Sequence, residues 1–201
     1  MNKTRFEAFS DGVFAFAITL LILNLALPEF SHPPPSEAEL AHGLLSLWPK
    51  LLAYGLSFAV LGIMWQNHHA LFRLVARVDR TTVFLNLILL SVTVFIPFAT
   101  ATLGSYPTMR PSTLLYGITL TCASIAYNLL LGHIVGSGAF DRRVAAKTMR
   151  QTVFAYRVGL VTYAVATMTA LFAPIVSFAL YLLVAAYYLV PRGVDDDLPA
   201  A

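Results

Sequence analysis

Two short groups of polar residues interrupt otherwise apolar sequence and have the side chains that proton transfer requires. Ser10 and Asp11 begin the apolar run of RFEAFSDGVFAFAITLLILNLALP, and His68 and His69 lie near the end of a second run. Because histidine titrates near neutral pH, a carboxylate and a histidine at one depth could relay protons. The alternative is a hydrogen-bond clamp between helices, which is the commoner role of polar side chains in a membrane.

Other chemistries need partners that these residues lack. Adjacent histidines point about 100° apart on a helix, and no HxxxH pair or cysteine accompanies His68 and His69, which disfavours a metal site. A hydrolase would need a base and an oxyanion arrangement beside Ser10, but no GxSxG sequence surrounds it. The sequence therefore predicts that the protein is not an enzyme and has neither a catalytic residue nor a cofactor.

The composition is that of an integral membrane protein. The 201 residues are 58% hydrophobic and 11% charged, with a mean hydropathy of +0.74, whereas soluble domains are about a quarter charged. A net charge of +3, spread between apolar segments, argues against nucleic-acid binding. Glu7 and Asp11 are unusual in a signal peptide, so the first segment is expected to remain as a membrane span.

The apolar segments predict an all-α protein with six transmembrane helices, because about 20 mainly apolar residues cross a bilayer as a helix. Pro174 separates the last two segments and predicts a tight helical hairpin. Residues 1–192 are expected to form one domain, and the tail 193–201 is expected to be disordered. The predicted spans are 7–28, 46–72, 80–103, 112–135, 154–173 and 175–190.

The positions of the basic residues predict the orientation. With six spans, all lysines and arginines except Lys50 and Arg110 lie on the side of the two termini, so both termini are placed in the cytoplasm. The first outer loop, EFSHPPPSEAELAHG, is acidic and could form a short helix before the second span.

This orientation places most intramembrane polar residues in one layer near the cytoplasmic face, where they can pair with one another. Asn24 is the exception and lies toward the outer side. The members of the layer are Ser10, Asp11, Trp65, Gln66, Asn67, His68, His69, Asn86, Asn128, His133, Tyr156 and Arg157.

A helical wheel divides the first span into two faces. Leu20, Leu23 and Leu27 fall within about 40° of Phe16, with Thr19 at the margin of this stripe. Ser10 and Asp11 point away from the stripe, as do Phe14, Ile18, Leu21 and Leu25. An apolar stripe is typical of lipid contact or of a packed core.

The wheel also predicts partners for the charged residues. Arg5 and Asp11 are six residues apart and do not share a face. Arg5 is therefore expected to reach another helix, a neighbouring subunit or lipid phosphate, and Asp11 to accept hydrogen bonds from His68, His69 or Asn86.

Three stretches of the sequence resemble the transmembrane protein 175 family of potassium channels. The motif R-x-x-x-F-S-D is formed by Arg5, Phe9, Ser10 and Asp11, and GVFAFAITLLILNL is similar to that family's first helix. The segment MWQNHHALF is similar to its second helix. The resemblance implies a homotetrameric, potassium-permeable channel in a prokaryotic cell membrane, whose partners are K⁺, other monovalent cations and lipid.

The resemblance also implies roles for individual residues. Phe16, Thr19, Leu20 and Leu23 would line a pore made by four first helices, and Leu27 continues that stripe. A structural polar network would hold the helix in place. Phe16 stands where many relatives have isoleucine or leucine, so the narrowest point is left open. The implied network comprises Arg5, Phe9, Ser10, Asp11, Trp65, His68, His69 and Asn86.

No Thr-Val-Gly-Tyr-Gly filter is present, since Tyr116-Gly117 is an isolated pair. The hypothesis is therefore a hydrophobic gate that closes by dewetting, with Thr19 offering oxygen contacts and a selectivity for K⁺ weaker than that of filter channels. The alternative is a proton-coupled secondary transporter using Asp11 and His68 or His69. Against it, the sequence shows no internal repeat and no predicted break at mid-membrane. A structural membrane subunit is a third interpretation.

Overall fold

The computed structural model describes residues 2–30, 32, 34–140 and 146–189, with residues 146 and 147 described by their backbone alone. The predicted tail 193–201, together with Arg142, Arg143 and Arg192, lies outside the described residues. Within them, the structure contains eight α-helices and one short 3₁₀ helix, Leu21–Asn24. The α-helices are α1 (Lys3–Leu20), α2 (Glu37–Ser46), α3 (Trp48–Arg73), α4 (Arg80–Thr93), α5 (Ile96–Ser105), α6 (Arg110–Gly136), α7 (Ala146–Thr169) and α8 (Pro174–Leu189).

Four helical segments of the described chain are long and apolar enough to cross a membrane. They are Lys3–Asn24, Trp48–Arg73, Arg80–Ser105 and Arg110–Gly136, which correspond to the first four predicted spans. The predicted hairpin is present as α7 and α8, and α8 begins at Pro174 as expected. However, α8 is a shorter apolar helix and α7 is not among the four, so the count of six spans remains a prediction.

The first helix is displaced from its predicted bounds of 7–28. It begins at Lys3 because the side chain of Asn2 caps it, accepting a hydrogen bond from the backbone N–H of Thr4 at 3.0 Å. At the other end α1 tightens into the 3₁₀ helix, which ends at Asn24. Pro28 disfavours helical backbone at Leu27, so the helical wheel does not extend to Leu27.

The third span is broken, which the sequence analysis did not predict. Pro97 has no N–H to donate to the carbonyl of Thr93, four residues earlier. The chain accordingly leaves α4 at Thr93 and starts α5 at Ile96, with Val94 and Phe95 between the two helices. The expectation of no break at mid-membrane is therefore wrong, and it no longer argues against a transporter.

The acidic loop after the first helix contains the short helix that the sequence suggested. Ser36 caps α2 through a reciprocal pair of hydrogen bonds with Glu39. These hydrogen bonds from Ser36 lower the pKa of the Glu39 carboxyl.

The core lies between α3, α4, α5 and α6, and α1 packs on one side of it. The buried face of α1 consists of Phe6, Ser10, Phe14, Ala17 and Leu21, counting the first residue of the 3₁₀ helix. This spacing of three and four residues is that of a helix with one packed side. The helical hairpin α7–α8 packs mainly on α6 and α3. The position of α1 at the edge leaves its other side uncovered.

Candidate functional site

A buried chain of hydrogen bonds fixes the N-terminal half of α1 to α3 and α4. The Nε2 atom of His68 lies 2.8 Å from Oδ1 of Asn86, and Nδ2 of Asn86 donates to Oγ of Ser10 at 3.0 Å. The Ser10 hydroxyl in turn donates to the carbonyl of Phe6 at 3.1 Å. Ser10, His68 and Asn86 are each at most 1% exposed. We call these three residues the inner anchor.

The bonding pattern of the inner anchor determines where its protons lie. Because Nδ2 of Asn86 donates to Ser10, the Oδ1 atom of Asn86 is the acceptor that faces His68. His68 must therefore carry a proton on Nε2. Each side-chain bond then has one donor and one acceptor, as a buried clamp requires.

Aromatic rings surround the histidine of the inner anchor. The His68 ring centroid lies 4.6 Å from that of Phe72 and 5.5 Å from that of Phe14. Phe6 contacts Phe72 with centroids 4.8 Å apart. These rings keep water away, which makes each hydrogen bond of the anchor costly to break.

Asp11 has a different partner from the one predicted. Its Oδ1 atom accepts a hydrogen bond of 2.9 Å from the indole Nε1 of Trp65, instead of from His68, His69 or Asn86. The physical reason is the rotation of about 100° between neighbouring helix residues, which turns Ser10 into the core and Asp11 toward the α3 surface. The ring of His69 stacks on Trp65 with centroids 6.1 Å apart.

Two members of the predicted network lie outside it. Arg5 is exposed, and within the described residues it has no hydrogen bond or ion pair. Phe9 is 56% exposed and stands two turns before Phe16 on the same side of α1. The structure thus places Phe9 on the apolar face and separates it from Ser10 and Asp11.

Other members of the polar layer form bonds between α3, α6 and α7. The hydroxyl of Tyr156 donates to the carbonyl of Asn67 at 2.9 Å, and Nδ2 of Asn128 donates to the carbonyl of Tyr156 at 3.1 Å. Tyr156 and Asn128 therefore bond to residues of the same layer, but through backbone carbonyls and not through the side-chain pairs that were predicted. Gln66 and Arg157 are exposed and join none of these bonds.

His133 reaches out of the layer to Asp79, which caps α4. Its Nε2 atom lies 3.0 Å from Oδ2 of Asp79. The pKa of Asp79 is lowered to about 2, chiefly by hydrogen bonds from Thr82 and further by His133.

The side of α1 that faces away from the inner anchor is apolar and uncovered in one protomer. The side chains of Phe16 and Leu23 are 62% and 71% exposed. Thr19 is exposed and Leu20 half-buried. Leu27 is 60% exposed but lies beyond the helical residues. We call Phe16, Thr19, Leu20 and Leu23 the stripe.

The stripe has two features that the sequence analysis did not identify. Ile22 is 53% exposed, although the wheel did not place it with Phe16. It belongs to the 3₁₀ helix, where each residue turns by about 120° instead of about 100°. In addition, the hydroxyl of Thr19 donates to the carbonyl of Phe16 at 2.8 Å, so its proton is occupied and its lone pairs remain free.

A second bond holds the 3₁₀ helix that follows α1. Nδ2 of Asn24 donates to the carbonyl of Pro97 in α5 at 3.0 Å. The sequence analysis noted Asn24 as an outer polar residue but gave it no partner. A single asparagine next to the apolar LIL segment indicates a polar contact there. Its partner could not be predicted, because a backbone carbonyl has no signature in the sequence.

Comparison with known proteins agrees with this arrangement. A family model described as "Endosomal/lysosomal potassium channel TMEM175" matches residues 5–97, which include the inner anchor, the stripe and Asn24. A potassium channel of Streptomyces collinus is 39% identical over 194 residues, which are 94% of this chain and 92% of that protein. A potassium channel of Chamaesiphon minutus is 42% identical over 169 residues, covering 81% of each chain.

A solved structure shares the fold. The crystal structure of a lysosomal potassium-selective channel TMEM175 homolog from Chamaesiphon minutus superimposes with a TM-score of 0.83 and 34% identity. The match covers 94% of this chain and 96% of that chain. Its extent includes the anchored helix and the bundle that holds it. The chain therefore belongs to the TMEM175 family of membrane ion channels.

Proposed function

We propose that this protein is a potassium-permeable cation channel in which four copies of α1 surround the ion path. The observation that carries the proposal is the division of α1 into an anchored face and an uncovered apolar face. The polar groups of the anchored face form hydrogen bonds within the protomer. The uncovered face is left for contact with ions, lipid or other subunits, and the relatives named as potassium channels favour the first.

The gate in this proposal is a set of apolar rings. Phe16, Leu20 and Leu23 of four subunits form constrictions that exclude water when narrow, because a hydrated ion does not shed its water against apolar walls. A small outward movement of α1 widens the rings and lets water return. No carbonyl filter takes part, so selectivity for K⁺ over Na⁺ is modest.

Thr19 provides the polar contact within this apolar path. Its proton is engaged by the carbonyl of Phe16, and its oxygen lone pairs therefore point away from that bond. Oxygen lone pairs attract cations and repel anions. Four such oxygens would contact a partly dehydrated K⁺ or another monovalent cation, and this is the only kind of metal binding that the proposal includes.

The proposed topology is six spans with both termini in the cytoplasm of a prokaryotic cell. α7 and α8 supply the last two spans, with Arg150 near the N-terminal end of α7 and Arg157 near the start of the predicted span 154–173. In this orientation the inner anchor lies near the cytoplasm and Asn24 lies near the outer face.

The alternative, a proton-coupled transporter, is favoured by one observation, the break between α4 and α5. It also needs a path for protons between Asp11 and a histidine. Asp11 instead accepts from the indole of Trp65, and the buried bonds of His68 lead to Asn86 and Ser10. The geometry therefore supports a clamp better than a relay.

The test is flux and crosslinking in reconstituted protein. Purified protein in liposomes should carry K⁺ down its gradient without a proton gradient, and planar bilayers should show discrete single-channel currents. Leu23→Cys in a Cys122→Ala background should form disulfide-linked dimers on oxidation and lose current. Phe84, which is 63% exposed on α4, provides the control. Phe84→Cys should neither form disulfide-linked dimers nor lose current on oxidation. Saturable uptake driven only by a pH gradient would overturn the channel proposal.

A further inference from the structure

The first helical segment, Lys3–Asn24, is bonded to two different helices of the third span, at Ser10 within α1 and at Asn24, the last residue of the 3₁₀ helix. At the cytoplasmic end, Ser10 accepts from Asn86 in α4. At the outer end, Asn24 donates to the carbonyl of Pro97 in α5. The break at Val94 and Phe95 lies between these two points. The relative position of Ser10 and Asn24 is therefore linked to the angle between α4 and α5.

The break is built as a point where that angle can change. Pro97 removes the backbone donor for Thr93, so one helical hydrogen bond is already absent there. The backbone N–H of Phe95 bonds to Val92 in a tight turn, and the hydroxyl of Thr93 donates back to Leu89. The acceptors of both bonds, Val92 and Leu89, are residues of α4. From the α5 side, the backbone N–H of Ala99 donates to the carbonyl of Phe95 at 3.3 Å.

α5 is itself fixed to the rest of the bundle. The Thr100 hydroxyl donates to Oγ of Ser57 in α3 at 2.7 Å, and Ser57 lies 3.0 Å from the hydroxyl of Tyr116 in α6. All three side chains are buried. These bonds couple a movement of α3 or α6 to α5. The bond from Asn24 to Pro97 couples α5 in turn to the outer end of the first helical segment.

We propose that Asn24 is a positioning residue of the gate, whose bond to Pro97 holds the outer end of α1 against its own subunit. This inference rests on the proposed function. Leu23, the neighbour of Asn24, is 71% exposed, while Asn24 is half-buried on the α5 side. When the bond is absent, the outer end of α1 is free to tilt toward the ion path. The rings of Leu23 then close together and the channel opens less often.

The main test is Asn24→Leu, which keeps the side-chain size and removes the donor. In single-channel recordings the open-to-closed ratio should fall at least about 5-fold, since one net hydrogen bond corresponds to about that factor in an equilibrium constant. The unitary current of the remaining openings should stay unchanged, because Asn24 itself does not line the path. Asn24→Gln retains a donor and should recover most of the wild-type ratio.

Asn128→Leu is the matched control, because Asn128 also donates to a backbone carbonyl from a half-buried position, but between α6 and α7. Asn128→Leu should destabilise the protein about as much as Asn24→Leu does, and it should leave the open-to-closed ratio unchanged. Equal changes in the ratio for Asn24→Leu and Asn128→Leu would overturn the inference, as would a wild-type ratio for Asn24→Leu.

A second variant tests the break. Pro97→Ala supplies the missing N–H and keeps the carbonyl that Asn24 uses, so it should alter the ratio in the wild type. In the Asn24→Leu background the same substitution should have little further effect, because the link to α1 is already lost. Additive effects would contradict the link. If Leu23→Cys neither forms disulfide-linked dimers nor loses current on oxidation, the proposed function fails. If Leu23→Cys shows both effects but Asn24→Leu leaves the open-to-closed ratio unchanged, only this inference fails.

Discussion

The two faces of α1 are made from similar residues and differ in what holds them. The buried face has Ser10 among Phe6, Phe14 and Ala17, and its polar atoms are paired with α3 and α4. The exposed face has Thr19 between Phe16 and Leu23, and the Thr19 hydroxyl bonds only to its own helix. One face therefore fixes the helix, and the other is free to change its surroundings.

This difference separates stability from function along one helix. A substitution on the buried face breaks contacts that the protomer needs to fold. A substitution on the exposed face removes fewer contacts within the protomer, because Phe16 and Leu23 are 62% and 71% exposed, so its main effect should appear where that face meets ions or other subunits.

The largest effect is expected from Asn86→Leu. The substitution removes both central bonds of the inner anchor and leaves Nε2 of His68 without a partner in a buried site, while Ser10 keeps its bond to the carbonyl of Phe6. A buried polar group without a partner costs about 1–3 kcal/mol, so the protein should lose most of its folded form in detergent. Size-exclusion chromatography with a fluorescent fusion measures this loss.

Ser91→Ala in the same helix is the control for that measurement. Ser91 is exposed and its hydroxyl bonds to the carbonyl of Ile88 in its own helix, so its elution profile should match that of the wild type. An Asn86→Leu protein as stable as Ser91→Ala would show that the inner anchor does not hold α1.

The second effect concerns the exposed face. Phe16→Ala should raise unitary conductance several-fold, because smaller side chains widen an apolar ring and allow it to fill with water. Protein yield and melting temperature should stay near those of the wild type. Planar-bilayer recordings give the conductance, with Phe84→Ala as a control of equal exposure on α4. Equal conductance for Phe16→Ala, Phe84→Ala and the wild type would remove Phe16 from the ion path.

The sequence was sufficient to predict the division of α1 into these faces. Helical spacing alone placed Phe16 and Leu23 together and turned Ser10 away, because both depend only on a rotation of about 100° per residue. It failed where the backbone departs from that rotation. Within the 3₁₀ helix Leu23 keeps its predicted exposure, whereas Ile22 is 53% exposed although the wheel did not place it with Phe16; Leu27 lies beyond the helical residues, where the wheel does not apply.

Partners were harder to predict than faces. Depth placed Ser10, Asp11, His68 and Asn86 in one layer, which the structure brings close together. Depth does not determine which donor meets which acceptor, since that depends on the crossing of α1 with α3 and α4. The sequence therefore paired Asp11 with histidine or asparagine, although the indole of Trp65 lies on the side of α3 that Asp11 faces.

Trp65→Phe should have a smaller effect than Asn86→Leu. It keeps the aromatic contact with His69 and removes the indole donor to Asp11, at a site that is 41% exposed. Water can replace the lost bond there, so the expected loss of stability is about 0.5–1.5 kcal/mol. Thermal unfolding in detergent measures it.

Asp11→Asn is the matched variant, because an amide oxygen still accepts from the indole. It should be less destabilising than Trp65→Phe. If Asp11→Asn instead abolishes proton-linked flux while the tetramer stays intact, Asp11 acts in a relay and the buried face is more than an anchor.

The smallest effect is expected at Asp79, which caps the helix that carries Asn86. Its pKa is lowered from the ordinary value of 3.8 to about 2, so the folded state favours the carboxylate. The stabilisation is present above pH 3.8 and is lost as the pH falls toward 2. Because Asp79 is exposed, solvent screening keeps this contribution below about 1 kcal/mol.

Asp79→Asn keeps a residue that caps helices well and removes the titrating group. Melting temperatures of the wild type should therefore fall between pH 4 and about 2 by slightly more than those of Asp79→Asn, and the two should differ by a constant amount above pH 5. A larger acid loss in the variant would mean that Asp79 does not titrate as its contacts with Thr82 and His133 require. An unchanged channel conductance in Asp79→Asn at neutral pH would place the start of α4 outside the gate. The inner anchor would then hold α1 without help from the pair of Asp79 and His133.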